Sequence, residues 1–299
     1  MKKDQTHVKI LGIRLSSTND DEVLMKIDKL LTNPRLFMPK YRPQYIVTPN
    51  PEQVTLALKD KKFKDFINKA VLQLPDGIGL ATACKFLSLP NPKNKLVRLP
   101  VLLFQGLMVG TSVLLSKNWL TRDLKIIHGR KITEVIIKKG NERKWRIMFL
   151  SGKVGNVEVG KESVARLKQV YPNSNIKGLT APIYDAKANP QTEPDKKRDF
   201  LIKSEINRFQ PHILFIGMTP PKQERWLEKN LRSLKVGLAI AVGGTFDYMA
   251  GVHPEPPKWI GKLELEWLWR LFSQKGRVRR VFTAFPLFPL RIFWQKLTK

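Results

Sequence analysis

Cysteine occurs once, at Cys84, which excludes an intramolecular disulfide and fits a reducing compartment. The chain opens with two lysines but lacks an apolar core long enough for a signal peptide, so export is not expected. No His/Cys cluster has metal-ligand spacing, and no GxGxxG fingerprint follows a strand. Acidic side chains are scarce: 25 Asp and Glu face 54 Lys and Arg over 299 residues, a formal net charge of +29. That excess implies an anionic partner, whether nucleic acid, lipid headgroups or a phosphorylated substrate. Long apolar runs are also few. Leu99 to Ser116 is uncharged and at the lower edge of a spanning length, but Pro100, Gly106 and Gly110 interrupt it. A surface-inserted or re-entrant segment is the expectation. What remains, 42% hydrophobic and 26% charged, describes a globular chain able to bury a sizeable core.

The most informative stretch runs from Ile216 to Gly251. The apolar run ILFIGM breaks into TPPKQERWL, and a second run, VGLAIAVGGTFDYMAG, ends in glycines. Each half reads as a buried strand feeding a turn and a helix, with Gly243 and Gly244 free to take positive φ or to let backbone approach a ligand. Ligands of open α/β sheets sit outside the carboxyl ends of strands. Gly217 to Gln223 and Gly243 to Asp247 should therefore face one crevice, where Gln223, Glu224, Asp247 and backbone N–H groups could hold a ribose and a diphosphate. Two ordinary strand-to-loop junctions would give the same pattern.

Taken in order, His7 to Ile13 alternates as a first strand, Asp20 to Leu31 has helical spacing, and Tyr45 to Thr48 is a short buried strand. TPNPEQ ends that strand and leaves Thr48, Asn50 and Glu52 as polar groups at its carboxyl end. A helix over Val54 to Lys69 returns to a strand, Val71 to Leu74, which stops at Pro75-Asp76-Gly77. Asp76 there can accept a proton from an attacking hydroxyl, or simply cap a helix starting near Ile78. Arg146 to Leu150 is a strand, after which Gly152 and Gly155 open a helix over Val157 to Tyr171 in a phosphate-proximal turn. Ile176 to Leu179, a helix from Phe200 to Phe209 and the strand at Ile213 complete the rhythm. It is that of an α/β fold, a Rossmann-like parallel sheet with helices on both faces. Charged Asn141 to Lys144 suggests segments 1–140 and 141–251. The rest, 252–299, reads as a basic amphipathic helical appendage, with Arg270, Arg277 and Arg280 on one side and many aromatics facing a bilayer.

In this order, GMTPPKQERWL, AVGGTFDYMAG and PPKWIGKLELEWLWRL, together with TPNPEQ and LPDGIGL, resemble the WecG/TagA/CpsF glycosyltransferase family. The resemblance implies transfer of a hexose, N-acetylmannosamine or a related sugar, from a UDP-sugar to a polyprenyl-diphosphate-linked acceptor in cell-surface polysaccharide or teichoic acid synthesis. It makes Asp76 the base of a single inverting displacement. Thr48, Asn50 and Gln223 would position the sugars, with Arg130 and His128 as nearby candidates. Gly152, Gly217, Gly243, Gly244 and Asp247 would bind the nucleotide, and Arg270, Arg277 and Arg280 its diphosphate. No D-x-D motif is present, so no metal cofactor is expected, and arginines would stabilise the leaving group. Two departures stand out. Lys131 replaces a common family aspartate, and Lys93 to Lys125 reads as an insertion near 99–124, either an apolar wedge for membrane contact or an extra buried hairpin. The expected location is the cytoplasmic face of the membrane, peripherally bound to its anionic surface. Apolar surfaces could also serve self-association as a homo-oligomer. The rivals are a nucleic-acid-binding protein, disfavoured because basic residues are spread along the chain and aromatics gather in the tail, and a non-catalytic membrane scaffold.

Overall fold

The computed structural model describes residues 7–38, 41–262, 266–273 and 278–299. In place of one opening strand there is a hairpin, β1 (His7–Ile10) and β2 (Ile13–Ser16), because Leu11 and Gly12 turn the chain at positive φ. Helix α1 (Asp20–Leu31) spans the predicted residues, since Asn19 and Glu22 close a capping box and Val23, Ile27 and Leu31 form a buried stripe. Strand β3 (Gln44–Val47) leads to α2 (Pro51–Ala57), α3 (Lys61–Lys69) and β4 (Leu72–Gln73). The single helix predicted for Val54 to Lys69 is two, because Asp60 accepts from the Phe63 N–H and starts a second. Next come α4 (Ile78–Ser88), α5 (Lys95–Leu115), α6 (Lys117–Leu120), α7 (Gly129–Glu142) and β5 (Ile147–Ser151). A small hairpin, β6 (Lys153–Val154) and β7 (Val157–Glu158), then precedes α8 (Val159–Val170). Gly152 and Gly155 therefore do not open a helix as expected; Gly155 turns the hairpin at φ +57°. The body closes with β8 (Ile176–Thr180), α9 (Glu193–Phe209), β9 (Ile213–Gly217), α10 (Lys222–Asn230), β10 (Leu238–Ala241) and α11 (Thr245–Met249). The appendage contributes α12 (Lys258–Lys262), α13 (Glu266–Ser273), α14 (Val278–Phe282) and α15 (Phe288–Leu297).

Six strands make one parallel sheet in the order β4-β3-β10-β9-β5-β8. Strands from both sides of residue 141 share it, and the pair β9 and β10 lies in the middle. The alternation of side chains sends Ile147, Phe149, Ile213, Phe215, Leu238 and Ile240 to one core, under α1, α7, α8 and α11. Met148, Leu150, Leu214, Ile216, Ala239 and Ala241 go to the other core, under α2 to α5, α9, α10 and α15. All six carboxyl ends point to one edge, as parallel pairing demands.

The appendage is only partly what its composition suggests. Phe288 and Ile292 are each 2% exposed and packed into the second core, so these aromatic and aliphatic groups hold the tail to the body instead of facing a bilayer. Buried Lys296 donates to the Phe86 carbonyl and to Gln105 Oε1, tying α15 to α4 and α5. Helix α5 is long and apolar enough to cross a membrane by length and composition. It lies along α4 and α15 with Leu102, Gln105 and Val109 buried, while Leu103, Phe104, Leu107 and Leu115 stay exposed.

A buried polar network pins the middle strands. The N–H groups of Met218 and Gly243, just beyond β9 and β10, both donate to Gln223 Oε1 at 3.3 and 3.0 Å. Gln223 Nε2 donates to Glu224 Oε1 at 2.8 Å, and Gln53 Nε2 from α2 reaches the same oxygen at 2.9 Å. Glu224 is 1% exposed, and burial pushes its carboxyl up from 4.5 to about 7, with the Glu52 charge adding to the effect.

A raised folded value means that the carboxyl's contribution is fully present below about 4.5 and is lost as pH rises through about 7. Over that window the wild type should lose about 1.4 kcal/mol per pH unit relative to Glu224→Gln, and the gap should be flat above it, in thermal melts recorded across pH. Phe288→Ala should destabilise the chain by about 3–5 kcal/mol, read as a lowered denaturant midpoint.

Candidate active site

Where β3 and β4 end, the chain gathers polar groups around Asp76. The Asp76 N–H donates to the Pro49 carbonyl at 2.9 Å, and the Pro75 carbonyl accepts from Ile127 at 2.9 Å. These two bonds suspend the Asp76 turn between the Thr48 loop and the segment entering α7. The first helical residue after it, Ile78, is preceded by Gly77 as N-cap with no side-chain cap bond, so Asp76 is not spent on capping. Its carboxylate is instead 3.6 Å from His128 Nδ1, with the side chain about a third exposed. A Cβ placed on Gly129 would lie 3.6 Å from Asp76 Oδ2 and 3.7 Å from both Thr48 Oγ1 and Thr245 Oγ1. Three oxygen-bearing side chains from three different loops thus converge on the start of α7, whose dipole favours a carboxylate there. Thr48 and Thr245 are held by bonds to the Ala241 and Val242 carbonyls at 3.0 and 2.8 Å.

A cleft of about 620 Å³ opens beyond the ends of β5, β9 and β10. Gly152, Gly217, Gly243, Gly244, Asp247 and Arg280 all line it, together with Lys153, Arg198 and Lys222. Gly243 takes φ +57°, as the sequence suggested, whereas Gly244 has an ordinary negative φ. Gly217 is required for a different reason: a Cβ there would stand 2.4 Å from the Phe246 ring, which stacks on Phe149 at 4.4 Å. Tyr184, also in the lining, donates to Asp199 at 2.6 Å; burial and that carboxylate push its hydroxyl far up, so it stays neutral. The Gly243-Gly244-Thr245 turn joins the two regions, its glycines facing the cleft and its threonine facing Asp76.

Other predicted residues sit elsewhere. Asn50 is the N-cap of α2, its side chain accepting from Gln53 in a capping box. Gln223 is 1% exposed with both ends of its amide engaged, so it shapes the cleft from behind the backbone. Arg130 reaches the appendage, 3.4 Å from Glu266, 3.8 Å from Glu255 and 5.3 Å from the Tyr248 ring centre. Lys131 pairs with Asp20 of α1 at 2.9 Å instead of joining the Asp76 cluster. Arg280 is gripped by Glu52, while Arg277 lies outside the described residues, as does the side chain of Arg270 on α13. Sequence reasoning did not single out Thr245, Lys153, Arg198 or Lys222. Thr245 directly follows the glycine pair, and that adjacency was the available signal; the three bases come from elements that only the sheet order brings together.

The profile of the glycosyl transferase WecG/TagA/CpsF family matches residues 8–100 and 106–299, with 101–105 on α5 as the one gap inside that span. An N-acetylglucosaminyldiphosphoundecaprenol N-acetyl-beta-D-mannosaminyltransferase of Bacillus subtilis (strain 168) is 24% identical over 254 residues, 85% of this chain and 80% of the relative. A protein of the same name from Staphylococcus aureus (strain MRSA252) is 25% identical over 291 residues, 97% of this chain and 94% of the relative. Covering nearly the whole described body and its appendage, these matches make the chain a member of the WecG/TagA/CpsF glycosyltransferase family.

Proposed function

We propose that the chain transfers N-acetylmannosamine, or a closely related hexose, from a UDP-sugar to a GlcNAc-diphosphate-polyprenol acceptor in cell-surface polysaccharide or teichoic acid synthesis. The observation that carries this reading is the placing of the Asp76 carboxylate one turn away from a glycine-lined basic cleft, with Gly243 to Thr245 spanning the two. The donor's nucleotide and diphosphate occupy the cleft, and the acceptor hydroxyl meets the anomeric carbon beside Asp76. The hydroxyl oxygen bonds to that carbon as the bond to the diphosphate oxygen breaks. The proton passes to Asp76, and the electron pair leaves with UDP. Arg280, Lys153, Arg198 and Lys222 place positive charge where the leaving diphosphate gains negative charge, which is the work a metal does in D-x-D enzymes. The relatives' name specifies a β-linked product. An α-linked UDP donor yields that product by single inversion.

The same reading puts the protein on the cytoplasmic face of the membrane. Helix α5 exposes Leu103, Phe104, Leu107, Leu114 and Leu115, and neighbouring α15 exposes Leu290 and Trp294. With a chain charge of +29, an anionic bilayer is the partner whose chemistry matches both features.

Transfer from a panel of UDP-sugars to a GlcNAc-diphosphate-lipid, without added metal, tests the reaction. Asp76→Asn should lower turnover by about 10²–10⁴-fold while UDP binding persists; full turnover in that variant removes the base assignment. Phe104→Glu with Leu107→Glu should reduce co-sedimentation with anionic liposomes, and undiminished binding would count against the membrane face.

A further inference from the structure

Glu52 lies in the first turn of α2, directly after the loop that delivers Thr48 and Asn50, and its carboxylate holds the appendage. Arg280 Nε donates to its Oε1 at 2.8 Å and Arg280 Nη2 to its Oε2 at 3.0 Å, a two-pronged pairing across 228 residues. The Glu52 side chain is only 13% exposed and that of Arg280 28%. Arg280 sits on the five-residue helix α14, whose Val278 and Phe282 are exposed, so packing alone does little to hold it. Thr55 of α2 also lies beside the turn that follows α14, its Oγ1 3.5 Å from the Thr283 carbonyl, though that hydroxyl donates to the Pro51 carbonyl at 2.8 Å. A guanidinium carries five N–H donors in a rigid plane. Glu52 occupies the Nε/Nη2 edge and leaves Nη1 and the second Nη2 hydrogen for a ligand.

We propose that Glu52 is a positioning residue for the donor diphosphate, its carboxylate fixing the plane of Arg280 so that the unused edge is presented to the cleft. The inference rests on the reading of that cleft as the nucleotide site. An acidic group beside a diphosphate weakens anion binding by repulsion, and a carboxylate that merely occupied Arg280 would compete with the ligand. A carboxylate that pre-orients Arg280 does the reverse, because the ordering of a long side chain is complete before the ligand arrives. The two accounts therefore predict opposite signs for one substitution.

Glu52→Gln adds one unit of net positive charge at the cleft but can accept from only one prong of the guanidinium. Calorimetry on the full chain should find UDP and inorganic pyrophosphate bound roughly tenfold more weakly, with uridine affinity unchanged. The donor KM should rise more than kcat falls. Unchanged or tighter UDP binding by the folded variant overturns the inference and leaves the nucleotide reading intact. A wild-type chain that fails to bind UDP overturns both. Arg280→Lys supplies a second measurement should Glu52→Gln fold poorly, since it keeps the charge and loses the paired edge. It should weaken UDP to a similar degree, and wild-type affinity there also overturns the inference. Adding Glu52→Gln to Arg280→Lys should cost nothing further, because Glu52 acts through Arg280; additive losses would overturn the inference.

Discussion

Two backbone N–H groups at the ends of the central strands find one acceptor, the Gln223 amide oxygen, and most of the site's geometry follows from that shared bond. Buried N–H groups must be paired, and loops beyond a strand's last ladder bond have to find partners outside the sheet. Gln223 supplies the partner, and the buried carboxyl of Glu224 fixes Gln223 through its other end. Gln53 joins from α2, so the loops after β3, β9 and β10 are bound into one unit. The loops that carry the cleft glycines and Thr48 keep their mutual placement because this network ties them together. A neutral Glu224 is the less costly form in that setting, since an ionised carboxylate would be buried with no cation beside it among the described contacts.

The appendage shows how one segment can serve two surroundings. Its apolar side chains are divided, with Phe288 and Ile292 sunk in the core and Leu290 and Trp294 left outside. Its polar contacts reach back to distant parts of the body: Lys296 to the carbonyl of Phe86 and to Gln105, Arg280 to Glu52, and Glu266 to Arg130. The tail is thereby part of the site's wall, and Arg280 enters a cleft otherwise built from residues up to Asp247.

Much of this was legible along the chain. The capping residues around α1 and the branched apolar runs of β5, β9 and β10 act within a few positions, so periodicity and caps located these elements to within a residue or two. The glycine turn at Gly243 and the aspartate at Asp76 are strand-end features, visible because sequence neighbours dictate them. Local competition defeated other readings. Gly12 turned an expected strand into a hairpin, Asp60 split a helix by capping its second half, and Gly155 made a hairpin where a helix start was expected.

Composition carries the large positive charge, and local patterning carries the fold class, the buried central strands and the strand-end motifs, because each of these depends on side chains within one or two turns of backbone. Tertiary structure alone decided which strand ends meet. Placing β9 and β10 between β3 and β5 brings Thr245 to Asp76 and Gln223 to Gln53, from residues more than a hundred positions apart. It also decided that Gln223 works from behind the cleft, that Lys131 turns to Asp20, and that Glu52 holds Arg280. Contacts of that kind depend on the register and crossing of distant elements, which no local pattern of residue types encodes.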